Sequence, residues 1–228
     1  MKKEYWSSTV FKKFVMGATG LALLGFVITH LLGNLLLYKK EGMAFNEYAH
    51  KLEGFGPLLW AAEIGLLGFF VYHAITGIRL AFLARTAKPK KYAINQSKGG
   101  PSKWGVSSNN MAITGTVLLI FVALHVWHFK YGPGLNEGYV TALNDGSEAR
   151  DLQRHVVEQF KNPLIVGLYV FAMLGLGLHL RHGVWSAFQS LGLTRENNTK
   201  TIYTVGGALA AILAAGFLFI PVYIYFLY

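Results

Sequence analysis

Four histidines, His30, His73, His125 and His179, stand in four apolar stretches of the sequence, and the stretches are near copies in pairs. Met16-x-x-Thr19-Gly20-x-x-Leu23-Leu24-x-Phe26-Val27-x-x-His30 recurs at identical spacing as Met111-x-x-Thr114-Gly115-x-x-Leu118-Leu119-x-Phe121-Val122-x-x-His125. His73-x-x-x-Gly77-x-x-x-Ala81-Phe82 recurs as His179-x-x-x-Gly183-x-x-x-Ala187-Phe188, so one two-helix unit is used twice. Even a neutral imidazole surrounded by hydrocarbon needs its ring nitrogens satisfied, and a charged side chain at mid-membrane costs ~2.5 to 3.5 kcal/mol. Two haems, each held by two histidines, would use all four rings. The chain has no cysteine, which excludes disulfides, thiolate-bound haem and iron–sulfur ligation by this polypeptide.

The elements that carry these rings are those of a membrane protein. Of the 228 residues 53% are apolar and only 14% charged, a balance that suits lipid rather than water. Crossing ~30 Å of hydrocarbon takes about 20 mostly apolar residues. Five segments qualify, at about 14–38, 57–84, 110–130, 162–189 and 202–227. The expected fold is all-α, one domain over 1–228, an integral bundle of five transmembrane helices. The first segment is longer than the apolar core of a signal peptide and is expected to stay in the mature chain.

Basic residues are retained on the cytoplasmic side of a membrane, and they fix the orientation. Lys2, Lys3, Lys12 and Lys13, then Arg79, Arg85, Lys88, Lys90, Lys91, Lys98 and Lys103, then Arg181, Arg195 and Lys200 make 14 of the 21 cations and fall on one side. The other side holds the remaining seven, offset by Glu41, Glu47, Glu53, Glu137, Asp145, Glu148, Asp151 and Glu158. The amino terminus is therefore expected inside and the carboxy terminus outside, in the periplasm. His30 and His125 then belong to the outer half of the membrane. His73 and His179 each follow a helix-opening proline, Pro57 or Pro163, by 16 residues, ~24 Å inward at 1.5 Å per residue. Pairing by layer gives His30 with His125 and His73 with His179.

Gly77 and Gly183 lie one turn beyond His73 and His179 on the same helix face, where a missing side chain would let a flat macrocycle approach the backbone; small-residue helix packing is the plainer reading of the same glycines. Thr19 and Thr114 lie three turns before His30 and His125 on the same face. His128 and His182 are not copied, since their counterparts are Gly33 and Thr76. The spacings His125-x-x-His128 and His179-x-x-His182 leave another chemistry open, direct binding of zinc or iron in a metal transporter or a membrane di-iron enzyme. Such sites gather carboxylates, and Glu63 is the only acidic residue well inside a span. The last segment, rich in Gly and Ala from Gly206 to Gly216, carries no histidine and suits packing. Glu148 to Phe160 is expected to form a short amphipathic helix, with His155 solvated or interfacial.

The sequence resembles the dihaem cytochrome b anchor of succinate:quinone oxidoreductases, the succinate dehydrogenase and fumarate reductase complexes, in the form where one five-helix polypeptide makes the whole anchor. The resemblance covers most of the chain. It rests on His30, on Glu63 with His73 ten residues later, on Ala123-Leu124-His125-Val126-Trp127, and on the stretch from His179 through Gly183-Val184-Trp185-Ser186 to Leu191-Gly192.

The resemblance implies two haems b, proximal and distal, and a chain in the bacterial cytoplasmic (inner) membrane. It further implies a flavoprotein with FAD and an iron–sulfur protein docked on the basic cytoplasmic face, with dicarboxylate chemistry on those partners. Electrons would pass between the iron–sulfur clusters and a membrane quinone, menaquinone for this haem class. Glu47, His50, Glu53 and Glu63 are the candidates for handling the quinone's protons, Glu63 first. Arg79 and Arg181 are candidates for neutralising the haem propionates; ordinary snorkelling to the headgroups is the alternative. A cytochrome b subunit of another membrane oxidoreductase, of hydrogenase or formate dehydrogenase type, would use similar histidine pairs. Nucleic acid is excluded as a partner for so apolar a chain.

Overall fold

A computed structural model describes residues 8–39, 43–87 and 106–228. Helix α1 is Thr9–Asn34 and ends in a 3₁₀ turn, Leu35–Tyr38; α2 is Ala44–Glu53, α3 Pro57–Thr86, α4 the single turn Val106–Asn109, and α5 Met111–His125, continued by a π-helical turn at Val126–Lys130. Strands β1 (Val140–Ala142) and β2 (Glu148–Arg150) form an antiparallel hairpin in which Thr141 faces Ala149. Then follow α6 (Leu152–Phe160), α7 (Pro163–Ser190) and α8 (Thr199–Leu227). The class is all-α as expected, and five helices, Thr9–Tyr38, Pro57–Ala84, Met111–Lys130, Pro163–Ser190 and Thr199–Leu227, are long and apolar enough to cross a membrane.

Local chemistry sets the ends of these helices. Proline opens α3 and α7 at the first helical position, where its missing N–H is no loss. The Asn162 side chain accepts from Leu164 N at 2.9 Å to cap α7. At the other end Gly192 adopts φ +72°, and Leu193 N donates back to Phe188 O at 2.9 Å. The small residues of α8 are packing positions: a Cβ on Gly206 would lie 2.9 Å from Val184 Cγ1, and one on Gly216 would lie 2.7 Å from Leu31 Cδ2.

The chain divides into two compact units. One comprises 1–25, 66–117 and 175–212 and buries Leu24, Val184, Trp185 and Ala210, with the polar residues Thr19, Thr76 and Thr114 among them. The other comprises 26–65, 118–174 and 213–228. Its buried residues include Leu31, Leu37, Phe121, Tyr169 and Ile224. In this second unit α2, the hairpin and α6 pack together outside the spans. Asn46, 4% exposed, ties them: its amide donates to Asp151 Oδ1 and its oxygen accepts from Gln153 N, both at 2.9 Å.

The helix expected over Glu148–Phe160 begins only at Leu152, because Glu148–Arg150 pair with β1 and the Asp151 side chain caps the helix by accepting from Arg154 N. Lys2, Lys3, Lys40, Lys88, Lys90, Lys91, Lys98 and Lys103 lie outside the described residues, as does most of the connecting stretch 86–108.

Candidate haem-binding site

Within each expected pair the two histidine rings face each other. In the first unit the His73 and His179 rings, from α3 and α7, have centroids 6.4 Å apart. In the second, His30 of α1 and His125 of α5 have centroids 5.7 Å apart. Two imidazole nitrogens each about 2 Å from one metal would put their ring centres about 6 Å apart, so each pair has the spacing of two axial ligands.

Repeated side chains set the tautomers of the first pair. Thr19 Oγ1 gives its hydrogen to its own helix, 2.9 Å from Val15 O, and its lone pairs lie 3.4 Å from His73 Nδ1. Thr114 does the same one repeat later, with Asn110 O at 3.0 Å and His179 Nδ1 at 3.2 Å. A hydroxyl already donating to a carbonyl can only accept from the ring. With the hydroxyl hydrogen on the helix carbonyl, Nδ1 carries the imidazole hydrogen, and Nε2 is then the free lone pair a metal needs. The neighbouring glycine completes the seat: a Cβ on Gly20 would lie 3.2 Å from His73 Cε1, and one on Gly115 would lie 3.4 Å from His179 Cε1. Gly77 faces Met16 Cε and Gly183 has open space. The glycines that touch the imidazoles are thus those of the Thr-Gly step.

The second pair is supported differently. The Tyr169 hydroxyl, on a side chain 7% exposed, lies 3.1 Å from His125 Nδ1, while His30 stacks on Phe26 and lies against Phe217. The sequence reading missed Tyr169, although a signal for it exists. Ten residues before His179, Tyr169 occupies the repeat position of Glu63, ten residues before His73. Polar residues at one repeat position, in helices otherwise apolar there, mark a place where a span meets chemistry.

The remaining candidates are dispersed. Glu63 forms an ion pair with Lys130 at the end of the π-helical turn. Glu47 accepts from Asn144 Nδ2, and Glu53, exposed, contributes with Glu137 to the field at Arg150. Hydrogen bonds from Ser147, with a smaller influence of nearby His50, hold the Asp145 carboxyl below its ordinary pKa. These three α2 residues lie outside the spans. Arg79 lines a groove with Lys12, Tyr72 and Thr76. Arg181 lies against Tyr203, its guanidinium donating to the phenol oxygen at 3.3 Å. His128 is 2.8 Å from Gln159 Oε1. Among the described residues no three of His, Asp and Glu gather as a bare metal ion would require. The donor set is pairs of imidazoles, the set that suits a haem, whose macrocycle supplies the other ligands.

Five helices long and apolar enough to cross a membrane, with two pairs of facing imidazoles among them, define an integral membrane protein with histidine couples in its spans. The chain is similar to the succinate dehydrogenase cytochrome b558 subunit of Bacillus subtilis (strain 168), with 28% identity over 182 residues, 78% of this chain and 78% of that protein. This similarity supports the resemblance to the cytochrome b anchor of succinate:quinone oxidoreductases. No family model and no solved structure matches the chain.

Proposed function

We propose that this chain is the membrane anchor and electron-carrying subunit of a succinate:quinone oxidoreductase, holding one haem b between His30 and His125 and a second between His73 and His179. When bound, the haems supply one-electron carriage between an iron–sulfur partner and a membrane quinone. The observation that carries this reading is the pair of imidazole couples at 6.4 and 5.7 Å, the first with each Nδ1 seated on a threonine hydroxyl. The chain's own residues seat the His73 and His179 rings on threonine hydroxyls, wall the His30/His125 pair with aromatic side chains, and offer a counter-charged carboxylate, Glu63 with Lys130, at the head of α3 for quinone protons. Orientation follows the basic residues: the His73/His179 pair faces the cytoplasmic flavoprotein and iron–sulfur subunits, and the His30/His125 pair faces outward.

The test is to purify the protein, count haems per polypeptide and repeat the count in variants. His30→Ala and His125→Ala should each lose the same one of two haem signals, and His73→Ala and His179→Ala the other, while His182→Ala keeps both. A colourless wild-type protein, or His179→Ala retaining both haems, overturns the reading.

A further inference from the structure

One buried histidine is used by none of this chemistry. His155, on α6, is 1% exposed, and its Nε2 lies 3.0 Å from the His128 carbonyl oxygen. A carbonyl only accepts, so Nε2 carries the ring hydrogen and Nδ1 is the bare basic nitrogen. That nitrogen is buried and has no hydrogen-bond partner among the described residues. An orphaned buried acceptor is costly, and in folded proteins it points to redox or catalytic use, or to a water.

The fold goes to some length to place this ring. The π-helical turn at Val126–Lys130 widens the end of α5, and Tyr131 N reaches back to Val126 O. Gly132 leaves room for the ring, since a Cβ there would lie 2.5 Å from His128 O and 2.6 Å from His155 Nε2. Phe129 links the ring to a proposed ligand, with its centroid 5.6 Å from that of His155 and 5.4 Å from that of His125.

The titratable and charged groups facing His155 are His128 from the π-helical turn, Tyr139 from the segment before β1, Arg150 from β2 and Glu158 from α6 itself. Burial, the largest influence, holds the His155 pKa below the ordinary histidine range, so the ring rests neutral. Tyr139 stands between the ring and water: its ring centroid is 5.7 Å from that of the imidazole, edge to face, and its hydroxyl donates to the exposed Glu158 carboxylate at 2.5 Å.

We propose that His155 is a redox-linked proton acceptor: Nδ1 gains a proton as an electron reaches the His30/His125 pair and loses it as the electron leaves. The electron comes from a quinol or from an iron–sulfur centre of the partner. The proton comes from the outer aqueous phase through Glu158 and Tyr139, so one N–H bond forms on the imidazole as one O–H bond breaks at the donor. Imidazolium offsets the added negative charge. This inference rests on the haem reading above.

The test is a redox titration of the purified complex as a function of pH, following the haem signal that His125→Ala removes. In the wild type its midpoint should fall as pH rises, with a limit of about 59 mV per unit, the one-electron equivalent of a tenfold change. His155→Gln keeps an amide N–H for the His128 carbonyl but cannot titrate; the slope should disappear, while the signal that His179→Ala removes keeps its wild-type behaviour. Glu158→Gln, a change at an exposed position, should move the sloping region to lower pH by removing a carboxylate that favours imidazolium. A flat wild-type profile, a slope unchanged in His155→Gln, or a sloping region left at its wild-type pH in Glu158→Gln overturns the proposal. Absence of haem from the wild type overturns the earlier reading instead, so the two failures are distinguishable.

Discussion

Thr114→Val tests the seat of the His179 imidazole with almost no change in shape. The threonine is 6% exposed, and its oxygen is the acceptor 3.2 Å from His179 Nδ1. Valine fills the same space but leaves a buried N–H without a partner, which costs ~1 to 3 kcal/mol. At 1.4 kcal/mol per factor of ten, that is roughly a 5- to 150-fold loss of haem affinity, in line with the roughly 10- to 100-fold typical of lost outer-shell partners at metal sites. A less basic ligand also stabilises ferric iron less, so the midpoint of that haem should rise. The assay is haem per polypeptide by reduced haemochrome after competition with an apo haem scavenger, followed by a redox titration. Thr116→Val is the internal control, because that hydroxyl serves only Ala112 O on an exposed face. Equal haem retention and equal midpoints in Thr114→Val and wild type would refute the tautomer argument.

Four further outcomes follow from the geometry. Gly20→Ala should disturb its haem's absorption and spin state more than Gly115→Ala, since the added Cβ meets the imidazole at 3.2 rather than 3.4 Å. Gly132→Ala forces a methyl against the His128 carbonyl and should destabilise the segment outside the spans by ~1 to 3 kcal/mol, measured as faster tryptic cleavage at Arg150 and Arg154. The Tyr139 hydroxyl and Arg154 hold the Glu158 carboxyl below its usual pKa; their contribution is complete above the ordinary glutamate range and lost as pH falls through the depressed value. Hydrogen exchange in α6 should therefore accelerate in that acid window, and Glu158→Gln should flatten the dependence. Glu63→Gln should slow quinone turnover by a factor of ten or more, read against an artificial electron acceptor, with haem content unchanged; equal slowing with both acceptors would remove Glu63 from proton handling.

The five spans were legible because lipid leaves so few solutions: a backbone must satisfy itself as a helix, and about 20 apolar residues write that plainly. The facing of His30 with His125 and of His73 with His179 followed from the repeat and from counting residues from charged ends. The partners of those rings did not. Thr19 and Thr114 were legible as sharing a face with His30 and His125, but each serves the histidine of the next span, because helical periodicity tells which residues share a face and not which neighbouring side chain arrives there. Gly77 and Gly183 drew attention by lying one turn from a ligand, whereas contact across a helix interface picks Gly20 and Gly115. Outside the membrane the amphipathic pattern of α6 was visible, but Glu148–Arg150 joined a hairpin whose other strand is eight residues upstream, and short polar strands carry little pattern.

The Thr-Gly seat lies on the first helix of each repeat and its histidine on the second, so each two-helix copy orients its own ligand and lacks only the opposing one. A hairpin built this way is a complete half-site, and two identical copies around a twofold axis would hold one haem with no third component. Such a hairpin, built on helices of full span length, is a starting point for a minimal membrane haem protein. The single chain would then be the fused descendant of that dimer. Its two halves differ where Glu63 and Tyr169 stand at the same position in the copied sequence.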